Sequence, residues 1–96
     1  MRMKAIWNKE VIAESKEAIK DDGYFYFPVT SVRTEFLKAS RDASSCFLKG
    51  TANYFHIKVR SKRLSNGAWQ YRYPSDAAKI VRDKIAFGDE VIIQDS

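Results

Sequence analysis

A mainly β fold of the α+β kind, a single domain of antiparallel hairpins with two short helices, is what this 96-residue sequence predicts. Three observations predict it. Short runs of β-branched and aromatic residues recur along the chain, turn-forming dipeptides separate them, and the side chains of the run Thr51 to Arg60 alternate, with Phe55, Ile57 and Val59 on one face. A chain of this length supports one modest core, so residues 1–96 are expected to form one domain without a linker.

Met3 to Trp7 and Glu10 to Ala13 read as an opening hairpin around Asn8-Lys9. A second hairpin follows from Asp21-Asp22-Gly23, a turn in which Gly23 takes positive φ, leading into the aromatic strand Tyr24 to Phe27 that Pro28 ends. Thr30 or Ser31 is placed to cap a short helix in which Val32, Phe36 and Leu37 recur at helical spacing, with Lys38 and Arg41 near its negative end. Ser40 to Ser45 is small and polar and reads as loop. Thr51 to Arg60 then forms a half-buried strand, with Phe55, Ile57 and Val59 on one face and Tyr54, His56, Lys58 and Arg60 on the other. The return turn is expected at Ser61-Lys62, with Asn66-Gly67 as a competing two-residue turn. Trp69, Tyr71 and Tyr73 share a face until Pro74 stops the strand. Ser75 or Asp76 then caps a second helix carrying Ala77, Ile80 and Val81. Ile85 to Phe87 and Val91 to Ile93, parted by Gly88-Asp89, are expected to form a closing hairpin.

Charge is concentrated in one segment. From Ala43 to Ser75 there is no acidic residue, yet Lys49, Lys58, Arg60, Lys62, Arg63 and Arg72 alternate with Phe47, Tyr54, Phe55, Trp69, Tyr71 and Tyr73, within a chain of net charge +5. Such a surface receives an anion, a stacked base or an acidic partner. The short apolar runs fall well below the ~20 residues of a membrane helix, and the first residues open no signal-peptide core, so a cytoplasmic protein without membrane partners is expected. One cysteine, Cys46, excludes an intrachain disulfide. With one histidine, His56, it does not complete a zinc site from Cys and His alone, and no metal or cofactor is expected.

Three functional readings stand side by side. In the first, Tyr54, Trp69 and Tyr71 form an aromatic-walled pocket in which Lys49, with Gly50 allowing close approach, orients an anionic or polar small molecule. The same rings equally fill the core of a small domain. In the second, Cys46 is a nucleophile assisted by Lys49 or His56, against the reading of Cys46 as a small buried hydrophobe. In the third, Lys58, Arg60, Lys62 and Arg63 grip a nucleic-acid backbone, against the reading of a charged, aggregation-resistant edge. The adjacent acids Asp21-Asp22 and Asp89-Glu90 sit in turns and do not converge on a magnesium ion. A monomer or weak homodimer is expected.

Taken together, Trp7-Asn8, Ala13-Glu14-Ser15, Tyr26-Phe27-Pro28, Cys46-x-x-Lys49-Gly50-x-Ala52-x-Tyr54-Phe55, Ala68-Trp69-x-Tyr71-x-x-Pro74 and Ala86-Phe87 resemble the domain-of-unknown-function family 427 over nearly the whole chain. The resemblance implies a compact β-tent-like assembly, sometimes labelled nucleotidyltransferase-like, with an aromatic-lined site to which Lys49, Gly50, Tyr54, Trp69 and Tyr71 correspond. This chain departs from the family at Phe47-Leu48, where relatives often carry Pro-Trp. It also lacks the paired zinc cysteines of several proteins of that shape, which implies a metal-free variant.

Overall fold

Asn8 and Lys9 take left-handed φ values of 50° and 65°, the paired conformation of a type I′ turn, and join β1 (Met3–Trp7) to β2 (Glu10–Ser15) where the sequence places a hairpin. Asp22 and Gly23, at 54° and 87°, turn β3 (Ile19–Asp21) into β4 (Tyr24–Pro28). The computed structural model describes residues 2–95, so both ends of the expected 1–96 domain lie outside it. Five further strands follow: β5 (Leu37–Cys46), β6 (Gly50–Val59), β7 (Lys62–Tyr71), β8 (Lys84–Phe87) and β9 (Ile92–Asp95).

All pairings are antiparallel. A three-stranded sheet runs β2-β1-β9, and a six-stranded sheet runs β3-β4-β8-β7-β6-β5. Alternation gives the large sheet two different faces. Its inner face turns Phe27, Phe87, Ile57, Val59, Ala68 and Ile85 into the main core against Ala5, Ile12 and Ala13 of the small sheet, and the Phe27 and Phe87 rings meet edge to face at 5.6 Å. Its outer face holds a second buried cluster of Tyr26, Tyr71, Ala52 and Ala86, covered by Ala78 and Val81. Those two residues come from a short 3-10 segment, Asp76–Val81. Arg60 ties the two sheets together, donating to the Asn8 carbonyl at 2.7 Å and pairing with Glu10 at 3.3 Å.

The mainly β class holds, and four local expectations are corrected. The first predicted helix reduces to two single 3-10 turns, Val29–Ser31 and Thr34–Phe36. Its second half, with the expected loop Ser40 to Ser45, is the ten-residue strand β5. Tertiary pairing decides this, because Leu37 and Ala39 gain Ile57 and Phe55 as ladder partners, which a narrow isolated helical stripe does not offer. The second predicted helix is likewise 3-10, kinked at Ala78. The β6–β7 turn falls at Arg60-Ser61, one residue early, with Arg60 at φ 57°, while Asn66-Gly67 belongs to a bulge instead of a turn. Finally, β8 and β9 do not pair. Gly88 donates its N–H to the Gly67 carbonyl at 2.8 Å, which holds the end of β8 on the large sheet, and the chain then crosses to β1.

Gly67 is the tightest point of this crossing. A Cβ there would lie 2.7 Å from Leu64 Cδ2, 2.8 Å from its Cγ and 2.9 Å from Ile57 Cδ1. Gly67→Ala is therefore expected to cost about 1–3 kcal/mol through overpacking, read as a lower denaturant midpoint at unchanged m-value.

Candidate functional site

The outer face of the large sheet collects most of the residues that the sequence singles out. At one end, half-buried Trp69 meets Tyr24 edge to face at 4.9 Å and Tyr54 at 6.1 Å with a tilt of 58°. The register places Tyr54 directly opposite Trp69 and Ala52 opposite Tyr71, so Tyr54 joins the face that Trp69 and Tyr71 share by their spacing. The Tyr54 hydroxyl is also held by the Ser44 Oγ at 3.0 Å, across the β5–β6 ladder. Tyr71 is buried beneath the Asp76–Val81 segment and is part of the fold's interior.

Lys49 comes to the same end, but its charge is already matched. Its Nζ lies 3.1 Å from Asp21 and 3.4 Å from Asp22, with only 14% of the side chain exposed. Burial lowers the ammonium pKa, and the hydrogen bonds and charge of Asp21, with further help from Tyr26 and Asp22, more than reverse this, leaving it raised. Burial likewise raises the phenols of Tyr26 and Tyr71, with Lys49 partly offsetting both. Gly50, at φ 109°, serves backbone contact, since a Cβ there would meet the Tyr73 carbonyl at 3.2 Å. Ser75 completes the stitch, its N–H donating to the Lys49 carbonyl at 3.0 Å and its hydroxyl to the Leu48 carbonyl.

Half-buried Cys46 sits beside this cluster, opposite Gly50 in the β5–β6 ladder. His56 lies opposite Lys38, six ladder positions away, or roughly 20 Å at ~3.3 Å per residue. The structure thus separates His56 from Cys46, and the Lys49 amine is engaged with carboxylates.

The other end of the same face is open and basic. Lys38, Arg41, Asp42, His56, Lys58 and Arg63 line a hollow of about 610 Å³. Register explains the convergence. Lys38 stands directly opposite His56, and Lys58 directly opposite Arg63, so the four occupy neighbouring positions on three strands. Two bulges flank β6 here. On β5, Ser40, Arg41 and Asp42 span the stretch that Tyr54 alone spans on β6. On β7, Ser65, Asn66 and Gly67 stand against His56 alone. Asn66 joins the two bulges over β6, its Nδ2 donating to Asp42 Oδ2 at 2.6 Å and its backbone N–H to His56 Nδ1 at 3.0 Å. A neutral imidazole accepting at Nδ1 carries its proton on Nε2 and offers it as a donor.

The hollow's cations are unmatched. Arg2, Arg33, Lys49 and Arg60 pair with carboxylates, whereas Lys38, Arg41, Lys58 and Arg63 have no carboxylate partner among the described residues. The four cations named from sequence for nucleic acid therefore part company. Lys58 and Arg63 line the hollow, Arg60 is bound to the small sheet, and Lys62 pairs with Val59 in the ladder, on the inner-face side. Sequence reasoning misses Lys38, Arg41 and Asp42, because it assigns the first two to a helix and its acid-free window opens one residue after Asp42. The period-two placement of Leu37 and Ala39, flanking Lys38, is the available signal for a strand.

Fold and face together define a small antiparallel β domain whose outer sheet surface is sealed and aromatic at one end, hollow and cationic at the other. The model of a domain of unknown function (DUF427) matches residues 1–94, and the chain belongs to that family. No curated protein matches it.

The Lys49 cluster carries a pH signature. Lys49, Tyr26 and Tyr71 all have raised pKa values in the fold, so the folded chain retains protons that the unfolded chain releases. Their stabilisation is complete below the unfolded values of ~10 and is lost as pH rises through the folded ones. Lys49→Met is expected to cost about 1.5–3 kcal/mol at neutral pH through the loss of charge-assisted bonds, and to flatten the alkaline decline. Urea midpoints of both proteins between about pH 9 and 11 check this.

Proposed function

We propose that this protein is a binding module for a small, multiply charged anion, received in the hollow between the two bulges. The observation that carries this reading is the block of four cations, Lys38, Arg41, Lys58 and Arg63, that pair with no carboxylate among the described residues, and within which Lys58 and Arg63 face each other across the β6–β7 ladder. Like charges directly opposed in a sheet destabilise it, and a charged edge meant only for solubility is served as well by interspersed acids. Asp42, the one acid lining the hollow among the described residues, accepts from Asn66. Four positive groups against one carboxylate favour a ligand with two or more negative charges, such as a phosphate ester, over a simple carboxylate. The His56 Nε2–H adds a neutral donor.

This reading keeps the anionic ligand expected from sequence and moves its charge partner from Lys49 to the far end of the same face. It places the module in the cytoplasm, where an unpaired thiol such as that of Cys46 is ordinary. The nucleic-acid reading is weaker, because Arg60 and Lys62 point away from the hollow's surface.

The test is calorimetric titration with inorganic pyrophosphate at low salt. The wild type is expected to saturate a single site, and Lys58→Glu to weaken it by about tenfold or more. The same variant creates an opposite-charge pair with Arg63 and is expected to raise stability by about 0.2–1 kcal/mol in thermal unfolding. Gain of stability with loss of binding is the signature of a functional charge cluster. Absence of saturable binding by the wild type defeats the proposal, as does undiminished binding by the variant. Preference for short single-stranded RNA over pyrophosphate, falling steeply with salt, transfers the hollow to the nucleic-acid reading.

A further inference from the structure

We infer that the ligand of the hollow is a phosphate monoester carrying a flat ring, with Tyr54 as the wall against which that ring lies; this deepens the anion-binding reading and rests on it. Three observations meet at Tyr54. It precedes His56 and Lys58 along the same face of β6, about 7 and 13 Å from them at ~3.3 Å per residue, so a ring on Tyr54 and a phosphoryl group among the cations fall within one small molecule. Its register position is opposite the Ser40–Asp42 bulge, whose residues all line the hollow, so Tyr54 adjoins the hollow's lining in the ladder.

The ring is also held in place before any ligand arrives. Its hydroxyl is fixed by Ser44 at 3.0 Å, and Trp69 supports it at 6.1 Å, itself supported by Tyr24 at 4.9 Å. A half-buried, immobilised ring loses little conformational freedom on stacking, which is the condition under which an aromatic wall adds affinity. Neither a structural cluster nor a simple phosphate site requires an aromatic at this position. The Lys49 cluster is complete without Tyr54, and the four cations suffice for the anion.

Adenosine 5′-monophosphate and ribose 5-phosphate isolate the ring, because they share the same phosphorylated sugar. The wild type is expected to bind the nucleotide about tenfold more tightly, the scale of one base-aromatic stack. Tyr54→Leu is expected to erase that difference while leaving ribose 5-phosphate affinity unchanged. Tyr54→Phe, which keeps the ring, is expected to retain most of it. Equal affinities in the wild type overturn the ring assignment and leave the anion site standing, and a preference that survives Tyr54→Leu overturns Tyr54 as the wall. Failure of both monoesters to bind where pyrophosphate saturates the hollow overturns the monoester assignment alone, and failure of all three removes the anion reading and this one with it.

Discussion

The period-two pattern of β6 is the constraint on which the rest of the molecule depends. Phe55, Ile57 and Val59 face the small sheet, while Ala52, Tyr54, His56 and Lys58 face outward, and both neighbouring strands take their register from it. A slip of one residue would exchange Ile57 and Val59 for His56 and Lys58 in contact with the main core. Burial of an unpaired ammonium is costly enough to exclude that state. The hydrophobic requirement of the inner face therefore positions the cations of the outer one. No separate device is needed to bring Lys38, His56, Lys58 and Arg63 together, because the ladder that buries Ile57 also aligns them.

The two ends of the outer face use charge in opposite ways. At the sealed end, Lys49 is nearly buried and two aspartates from the β3–β4 turn answer it, so its charge works as a fastener between the β5–β6 hairpin and the β3–β4 turn. At the open end the cations are exposed and unanswered. Exposed like charges are screened by solvent, so the fold tolerates them at modest cost. A feature that lowers stability without serving the fold marks a place where another requirement acts.

Local chemistry explains what the sequence made legible. Asn8-Lys9 and Asp22-Gly23 reveal their hairpins because positive φ is a property of a few adjacent residues, and Thr51 to Arg60 reveals its faces because alternation is visible within one strand. The shared face of Trp69 and Tyr71 was readable for the same reason, whereas Tyr54 joins it only through the β6–β7 register. What stayed hidden depends on partners distant in the chain. β5 is a strand because β6 pairs with it, and β8 parts from β9 because Gly88 bonds to Gly67. Asn66 has the left-handed φ, 53°, that its pairing with Gly67 suggests, yet that conformation serves a bulge. The hollow was least visible, since its cations come from three strands and no short window contains them.

The bulges explain why these cations form a hollow instead of a flat row. In a regular antiparallel ladder, neighbouring side chains on one face stand nearly parallel at the strand spacing of about 4.8 Å, which suits repulsion and offers no concavity. Extra residues in the strands on both sides of β6 bend and twist them locally, and the Asn66–Asp42 bond joins the two distortions into one. That bond also occupies an oxygen of the carboxylate that would otherwise be the nearest answer to the cations. The arrangement carries its own cost, because Asn66 Oδ1 is buried with no hydrogen-bond partner among the described residues, a deficit of about 1–3 kcal/mol. An unmet carbonyl and an opposed like-charge pair thus lie within a few residues of each other. Selection for stability alone would remove both with single substitutions, so their presence together argues that the shape and charge of this hollow are what the bulges maintain.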